Sequence, residues 1–428
     1  MKIKTAYKDY DEVVKIKKAK HKRPIKPNIF WRTLIRLLSL FALIPLGLKC
    51  RRIGMEKLGK KEPCLILMNH SSFIDLKIAS KILYPRPFNI VCTSDGFIGK
   101  NWLMRQIGCI PTKKFVTEIG LIKDMSYALK TLGSSVLMYP EASYSFDGTA
   151  TPLPESLGSC LKMLGVPVVM IRTESAFARD PLYNNLQLRR VKVSATVEYL
   201  LSPEEIAEKS TEELNAILAE QFSFDSFRSQ QEKGVRVDEP FRADHLNRVL
   251  YKCPHCLKEG KTVGKGTTLR CTSCGEKWEL TELGFLKNVS GETKFDHVPD
   301  WYAWERECVR REIEAGEYSL DVEVDIGMMV DMKAIYMVGK GRLVHDGNGF
   351  HLTGCDGRLD YSQKPLSSYS LYADYYWYEL GDMICIGNHN VLYYCFPRNC
   401  GDVVAKTRLA AEEMYKLAKQ KTRTARVR

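Results

Sequence analysis

From Lys61 to about Glu198 short apolar runs alternate with stretches of helical spacing, and this alternation restricts the fold more than any other feature of the chain. Cys64–Met68, Phe88–Cys92, Ser135–Met138 and Val166–Ile171 are runs of the buried-strand type, and Val191–Tyr199 alternates as a half-exposed strand does. Ser72–Leu83, Ile119–Leu132 and Ser156–Leu164 carry apolar residues at helical intervals. Strands buried on both faces and separated by helices predict an α/β layered sheet, mostly parallel. Ser202-Pro203-Glu204-Glu205 and Thr211-Glu212-Glu213 read as helix starts, and residues 234–250 read as a linker.

Charge is placed unevenly along the 428 residues. The formal net charge is +13, and residues 1–60 alone hold 17 Lys/Arg against 4 Asp/Glu. Residues 406–428 add a further +6, so the body between them is at −6. A nucleic-acid binder that follows a long polyanion spreads its basic residues over a face or groove; this chain has two basic ends around a mildly acidic body. A hydrophobic fraction of 45% excludes global disorder. Of the fourteen Cys, ten have no framework spacing, which fits a reducing compartment.

The N-terminal basic arm leads into Leu37–Leu48, twelve residues without a charge. A spanning helix needs roughly 20. Extended back to Ile29, the segment gains Phe30 and Trp31 together with Arg32 and Arg36, which lie one helical turn apart. The expectation is an in-plane interfacial helix on an anionic membrane surface, peripheral or monotopic, at the cytoplasmic face of the cell membrane. Lys49 and Arg51 follow where a signal peptide would have small residues for cleavage.

Cys253-Pro254-His255-Cys256 and Cys271-Thr272-Ser273-Cys274 are two C-x2-C knuckles with fourteen residues between them. Four soft ligands at such spacing suit a tetrahedral, closed, structural zinc site. The intervening Thr262-Val263-Gly264-Lys265-Gly266-Thr267-Thr268-Leu269 reads as a β-hairpin, and the whole resembles a zinc ribbon. Beyond it, Pro299-Asp300 opens a helix that closes at Gly316. Seven short strands then follow: Leu320–Val324, Ala334–Val338, Arg342–His345, Phe350–Leu352, Ser370–Tyr376, Met383–Ile386 and Val391–Phe396. A last amphipathic helix is expected from about Asp402 to Lys419, giving a small mainly-β domain that resembles a pleckstrin-homology domain. The expected units are 1–50 (arm and interfacial helix), 51–240 (α/β domain), 245–290 (ribbon) and 300–428 (mainly-β domain with a terminal helix).

The catalytic candidate is Asn69-His70-Ser71-Ser72-Phe73-Ile74-Asp75, which follows an apolar strand and enters a helix. A His at such a junction sits at the rim of an α/β sheet, where ligands bind, and His70-x4-Asp75 supplies an imidazole with a carboxylate to orient it, a pair able to deprotonate a hydroxyl. A second H-x4-D, His351 to Asp356, lies in a Gly-rich strand and turn and is read as accidental.

Four blocks in order resemble the 1-acylglycerol-3-phosphate acyltransferase family: the H-x4-D motif, Ile107-Gly108-Cys109-Ile110-Pro111-Thr112-Lys113-Lys114, Tyr139-Pro140-Glu141-Ala142-Ser143-Tyr144 and Val166-Pro167-Val168-Val169. The resemblance covers roughly residues 50 to 200. It implies an O-acyltransferase that moves an acyl chain from acyl-CoA or acyl-carrier protein to the hydroxyl of a lysophospholipid, 1-acylglycerol-3-phosphate first, in phospholipid synthesis. It also implies that His70 is the general base, that Asp75 holds its tautomer, and that Lys113, Lys114, Glu141 and Ser143 bind the acceptor. The family's Gly-Thr-Arg is Ala142-Ser143-Tyr144 here, so the motif guanidinium is absent from position 144. Two other readings stand beside this one: a zinc-ribbon nucleic-acid-binding protein, and a catalytically inactive lipid-binding adaptor.

Overall fold

The structure is a computed structural model that describes residues 2–17, 20–116 and 119–427. Lys18 and Arg428, counted above in the basic ends, lie outside the described residues. The α/β domain is built on a seven-stranded sheet. Its spatial order is Lys49–Ile53, Ser194–Leu201, Val168–Glu174, Leu65–Met68, Ser135–Met138, Phe88–Thr93, Cys109–Thr112. All neighbours are parallel except Val168–Glu174 and Ser194–Leu201.

Leu65–Met68 shows why its run is continuously apolar. Successive side chains point to opposite faces of a sheet, and both faces are covered. Ile66 and Met68 pack with Ile74, Ile78 and Ile82 around the helix Asp75–Leu83. Leu65 and Leu67 pack on the other side with Leu157 and Leu161 of Leu157–Leu164 and with Leu214 and Leu218 of Thr211–Gln221. The helices Pro203–Glu208 and Thr211–Gln221 each begin with a capping box, Ser202 with Glu205 and Ser210 with Glu213.

The segment expected at a membrane interface forms the helix Ile29–Leu43, capped where Asn28 Oδ1 accepts from the Trp31 N–H at 3.1 Å. It packs on Asp75–Leu83. Phe30, Leu37, Leu38 and Phe41 remain exposed, as does Ile44 just beyond. Arg32 and Arg36 turn inward: Arg32 donates to the Pro85 carbonyl, and the Arg36 guanidinium lies 4.2 Å from the Tyr84 ring centroid. Among the described residues no helix is long and apolar enough to cross a membrane.

The ribbon is a four-stranded antiparallel sheet ordered Leu286–Asn288, Lys277–Leu280, Thr268–Cys271, Thr262–Lys265. The last domain opens with the helix Val298–Glu314 and continues in an antiparallel sheet. Its order is Leu359–Gln363, Gly349–Gly354, Ile335–Asp346, Leu320–Met329, Leu392–Pro397, Gly381–Gly387, Tyr372–Trp377. The helix Val404–Val427 closes the chain. Two segments expected as separate strands are one strand here, Ile335–Asp346. It continues through Gly339-Lys340-Gly341 with a bulge at Gly339, φ +131, where the register with Ile326 and Gly327 shifts, and Gly341 lets the Thr353 carbonyl approach to 2.3 Å from where a Cβ would stand. Leu359–Gln363 was not expected as a strand, since its polar residues on an edge hide the alternation.

Two features tie the expected units of the chain together. Residues 234–250 contain only one short helical turn, but Val237, Ala243, Leu246, Val249 and Leu250 are buried. Arg242 is buried among them with its Nε donating to the Leu280 carbonyl at 2.6 Å. One core runs from Phe146 and Phe177 through Leu250, Leu269 and Trp278 to Trp301, Tyr375 and Leu409, so the ribbon and both larger units share it. The N-terminal arm is also drawn in: Thr5–Tyr7 pairs in parallel with Ile335–Met337, and Arg358 reaches Asp9 at 3.0 Å and Asp11 at 2.9 Å.

Candidate active site

The chain leaves the sheet after Met68. Asn69 Oδ1 accepts from the Thr173 N–H at 2.8 Å and its Nδ2 donates to the Thr173 carbonyl at 3.1 Å. This amide clamps the strand end to its neighbour and fixes where His70 emerges. The next helix starts at Asp75, whose Oδ2 accepts from the backbone N–H groups of Ser71 at 2.9 Å and Ser72 at 3.0 Å. The same oxygen lies 3.2 Å from His70 Nδ1. An ionised carboxylate can only accept, so in the neutral ring Nδ1 carries the proton and Nε2 keeps its lone pair. Nε2 makes no hydrogen bond among the described residues.

The imidazole lies between two tyrosine rings, with centroids 4.2 Å from Tyr139 and 4.0 Å from Tyr144. Phe73, exposed, stacks on the outer side of Tyr144 at 5.1 Å. The His70 side chain keeps 19% of its surface. Burial pushes its pKa below the ordinary value of 6.5; the bond to Asp75 opposes the fall and the Lys114 charge reinforces it. The balance favours the neutral ring.

Glu141 acts through the backbone. Its Oε2 accepts from the His70 N–H at 2.9 Å, and its Oε1 accepts from the Thr151 N–H at 3.1 Å and hydroxyl at 3.3 Å. Burial pushes this carboxyl up to about 7 against the pull of those donors. Ala142, next in the chain, has φ +56, a left-handed conformation in a turn closed by its N–H to the Tyr139 carbonyl at 3.1 Å. Ser143 is buried, and its hydroxyl accepts from Arg408 at 2.9 Å.

The two lysines face the last domain. Lys113 donates to the His389 carbonyl. The Lys114 ammonium lies 4.1 Å from the Tyr372 ring centroid; burial lowers its pKa, and Asp374 and Asp95 hold it up. Asp95 accepts from the Tyr372 hydroxyl at 2.6 Å across the same boundary. Of the residues expected from sequence, His70, Asp75, Glu141 and Ser143 stand in one loop cluster. Lys114 is near enough to bear on the charge of His70, while Lys113 is bound toward the last domain.

Asn69, Tyr139, Tyr144 and Arg408 were not expected to have a part in the site. The first three sit inside or beside the quoted motifs, where their position was the available signal; Arg408, 265 residues after Ser143, had none. The second H-x4-D does not form a pair: His351 Nε2 bonds Asp360 at 2.8 Å on the neighbouring strand, in the open.

The four cysteine sulfurs lie within 4.8 Å of one another, a cluster that could hold a metal ion. Cys253 and Cys271 are buried, and Cys256 and Cys274 are more open.

Residues 49–173 match the family described as Acyltransferase, a span that takes in every candidate acyl-transfer residue and stops before the ribbon. A chloroplastic 1-acyl-sn-glycerol-3-phosphate acyltransferase of Brassica napus is 28% identical over 123 residues, which are 28% of this chain and 35% of that protein. The chain thus spans about a third of the length of the curated relative it matches. Among solved structures, the crystal structure of the 1-acyl-sn-glycerophosphate acyltransferase of Thermotoga maritima is 17% identical, with a TM-score of 0.37. The match covers 47% of this chain and 79% of that one.

Proposed function

We propose that this chain, with an Acyltransferase-family segment at residues 49–173, is a membrane-surface O-acyltransferase of phospholipid synthesis. It takes an acyl chain from acyl-CoA or acyl-carrier protein and places it on the hydroxyl of a lysophospholipid, 1-acylglycerol-3-phosphate first. The observation that carries this reading is the His70–Asp75 pair, with Nδ1 committed to the carboxylate and Nε2 uncommitted. In the reaction His70 Nε2 takes the proton of the acceptor hydroxyl as its oxygen attacks the thioester carbonyl carbon. Asp75 stabilises the imidazolium so formed. The tetrahedral adduct collapses, the C–S bond breaks, and the proton passes from Nε2 to the leaving thiolate. No acyl-enzyme is needed.

The exposed apolar side of Ile29–Leu43 supports attachment to a lipid surface. Trp31 stands edge-on to the exposed Trp102 at 5.9 Å, which extends the apolar area to the helix Asn101–Gln106. Because Arg32 and Arg36 are turned inward, the lysines and arginines of the arm supply the attraction to anionic headgroups. The four thiols hold a structural zinc whose closed shell leaves no site for substrate. The deciding measurement is thiol release from acyl-CoA and from acyl-carrier protein across a panel of lysophospholipids. Release that does not depend on any acceptor would refute the reading.

A further inference from the structure

Arg408 belongs to the last helix, Val404–Val427, yet its guanidinium is spent on the loop beside His70. Nη2 donates to the Ser143 hydroxyl at 2.9 Å and Nη1 to the Tyr144 carbonyl at 3.2 Å. Nε donates to Glu412 Oε1 at 3.3 Å, and the guanidinium carbon lies 4.5 Å from the Phe146 ring centroid. The side chain is 4% exposed. Glu412 is itself fixed by Arg306 at 2.8 Å and by the Ser370 hydroxyl at 2.6 Å. The chain has no arginine at position 144, but a guanidinium stands against residues 143 and 144 all the same, delivered from another domain.

A planar guanidinium that grips two successive residues fixes both their spacing and their orientation, which a single point charge cannot do. The second of those residues carries the ring that lies 4.0 Å over the imidazole. We propose that Arg408 is a positioning residue for the catalytic base: it holds Ser143 and Tyr144 so that the Tyr144 ring stays on His70, which makes the last domain a working part of the active site. This rests on the reading of His70 as the base. The chain of contact is continuous, from Arg306 and Glu412 through Arg408 to Ser143 and Tyr144, and from Tyr144 to His70. Burying a charge costs free energy even when it is paired, and three of the four guanidinium contacts named above are to the loop residues Ser143, Tyr144 and Phe146. An arginine that only bolted two domains together had no need to be spent on the loop that flanks the imidazole.

The charged and titratable groups that face His70 are Asp75 from its own helix start, Glu141, Tyr139 and Tyr144 from the loop, and Lys114 from the segment after Cys109–Thr112. If Arg408 is lost, the Tyr144 ring is freed, water reaches the imidazole, and the fall in pKa caused by burial is partly undone.

The test uses the full chain with carbon-13-labelled histidine, His70 being assigned by the signal missing from His70→Gln. In Arg408→Gln the His70 titration moves up by about half a unit or more, toward the ordinary value near 6.5. The kcat for acceptor-dependent thiol release falls at least about tenfold, the factor that one lost hydrogen bond to a charged group can carry, while KM for the acceptor stays within about threefold. Arg408→Lys recovers part of both effects. Tyr375→Phe, which removes the hydroxyl bond to the Arg248 carbonyl at 2.7 Å and keeps the ring that packs on Phe146, leaves the His70 titration in place. If Arg408→Gln behaves as Tyr375→Phe does, with the His70 titration unmoved, Arg408 is a structural bolt and the proposal falls. If Arg408→Gln does not fold, Ser143→Ala carries the same test with the same expected direction. A shifted titration in a protein that releases no thiol overturns the acyltransferase reading and leaves the positioning role standing.

Discussion

His70 Nδ1 and Asp75 Oδ2 stand 3.2 Å apart, and that oxygen already accepts from the backbone N–H groups of Ser71 and Ser72. The carboxylate is thus held by the turn it caps, and the imidazole is aimed by a group that cannot swing away. His70→Gln should lower acceptor-dependent thiol release by roughly 10²–10⁴, the range for loss of a positioned base. Asp75→Asn should lose at least about tenfold, because the amide can present an N–H to Nδ1 and spoil the tautomer. Single-turnover kinetics checks both; wild-type rates in His70→Gln would remove the base from the mechanism.

Glu141 predicts an opposition between stability and activity. Its carboxyl titrates near 4.5 in an unfolded chain and is pushed up to about 7 in the fold, so between those values the folded state binds the extra proton. Stability from this group is therefore greatest below pH 4.5 and declines as pH rises to 7, by about 3 kcal/mol at most from the size of the shift. Glu141→Gln, isosteric and uncharged, should match wild type near pH 4 and gain on it up to pH 7 in urea denaturation. Its turnover should still fall, since Gln keeps one acceptor oxygen and cannot accept from the N–H groups of both His70 and Thr151. A stability difference that is flat across this range would contradict the buried, proton-binding Glu141.

Ala142 is a direct source of backbone strain beside His70. A left-handed residue with a Cβ costs roughly 1–2 kcal/mol, and glycine returns part of that as added freedom in the unfolded chain. Ala142→Gly should stabilise the protein by about 0.5–1 kcal/mol, read as a higher denaturation midpoint. A destabilised variant would mean that the turn is not left-handed in solution.

Metal analysis of the purified protein should give one zinc per chain. Chelation should do more than empty a knuckle, because Cys253 and Cys271 lie in the same core as Leu250, Trp278 and Trp301. We expect the near-ultraviolet signal of Trp278, whose ring lies 4.9 Å from Trp301, to collapse with zinc loss and return with zinc. Protein free of zinc as purified under reducing conditions would refute the site.

Phe41 is 78% exposed and Leu38 61% on the outer side of the helix Ile29–Leu43. Burying two such side chains in lipid is worth about 3–6 kcal/mol in full, so even partial insertion predicts more than a tenfold loss of affinity in Leu38→Ser/Phe41→Ser. Co-sedimentation with vesicles of 70% phosphatidylcholine and 30% phosphatidylglycerol measures it. Unchanged binding of the double variant at moderate salt would leave the basic arm as the sole attachment.

The parallel sheet, the ribbon and the β-rich domain were readable because each rests on local pattern. Leu65–Met68 is apolar at four successive positions because helices cover both its faces, and the Cys spacing is a matter of covalent reach. His70, Asp75 and Glu141 were readable through motifs that keep the residues together at the strand ends. Other features lay in relations that no window of sequence contains. The polarity of residues 234–250 suggested a linker, but buried Arg242 finds its hydrogen-bond partners on the backbone carbonyls of Leu280 and Glu239, which leave no trace in side-chain pattern. Arg408 reaches Ser143 only because the last helix packs beside the loop. Arg32 and Arg36 showed the right helical spacing, and their direction was decided by Tyr84 and Pro85 on the neighbouring segment.

The parallel pairing of Thr5–Tyr7 with Ile335–Met337 sets a timetable for synthesis. The first strand leaves the ribosome more than 300 residues before its partner and must wait for it unpaired. At elongation rates of about 5–20 residues per second that is an interval of tens of seconds. The helix Ile29–Leu43 emerges early in that interval, so its apolar side can meet a lipid surface before the last domain exists. The N-terminal strand can pair only once residues 335–337 have emerged, with Leu392–Pro397 and Val404–Val427 following later still, and a bulky tag fused at Met1 should delay or prevent that pairing.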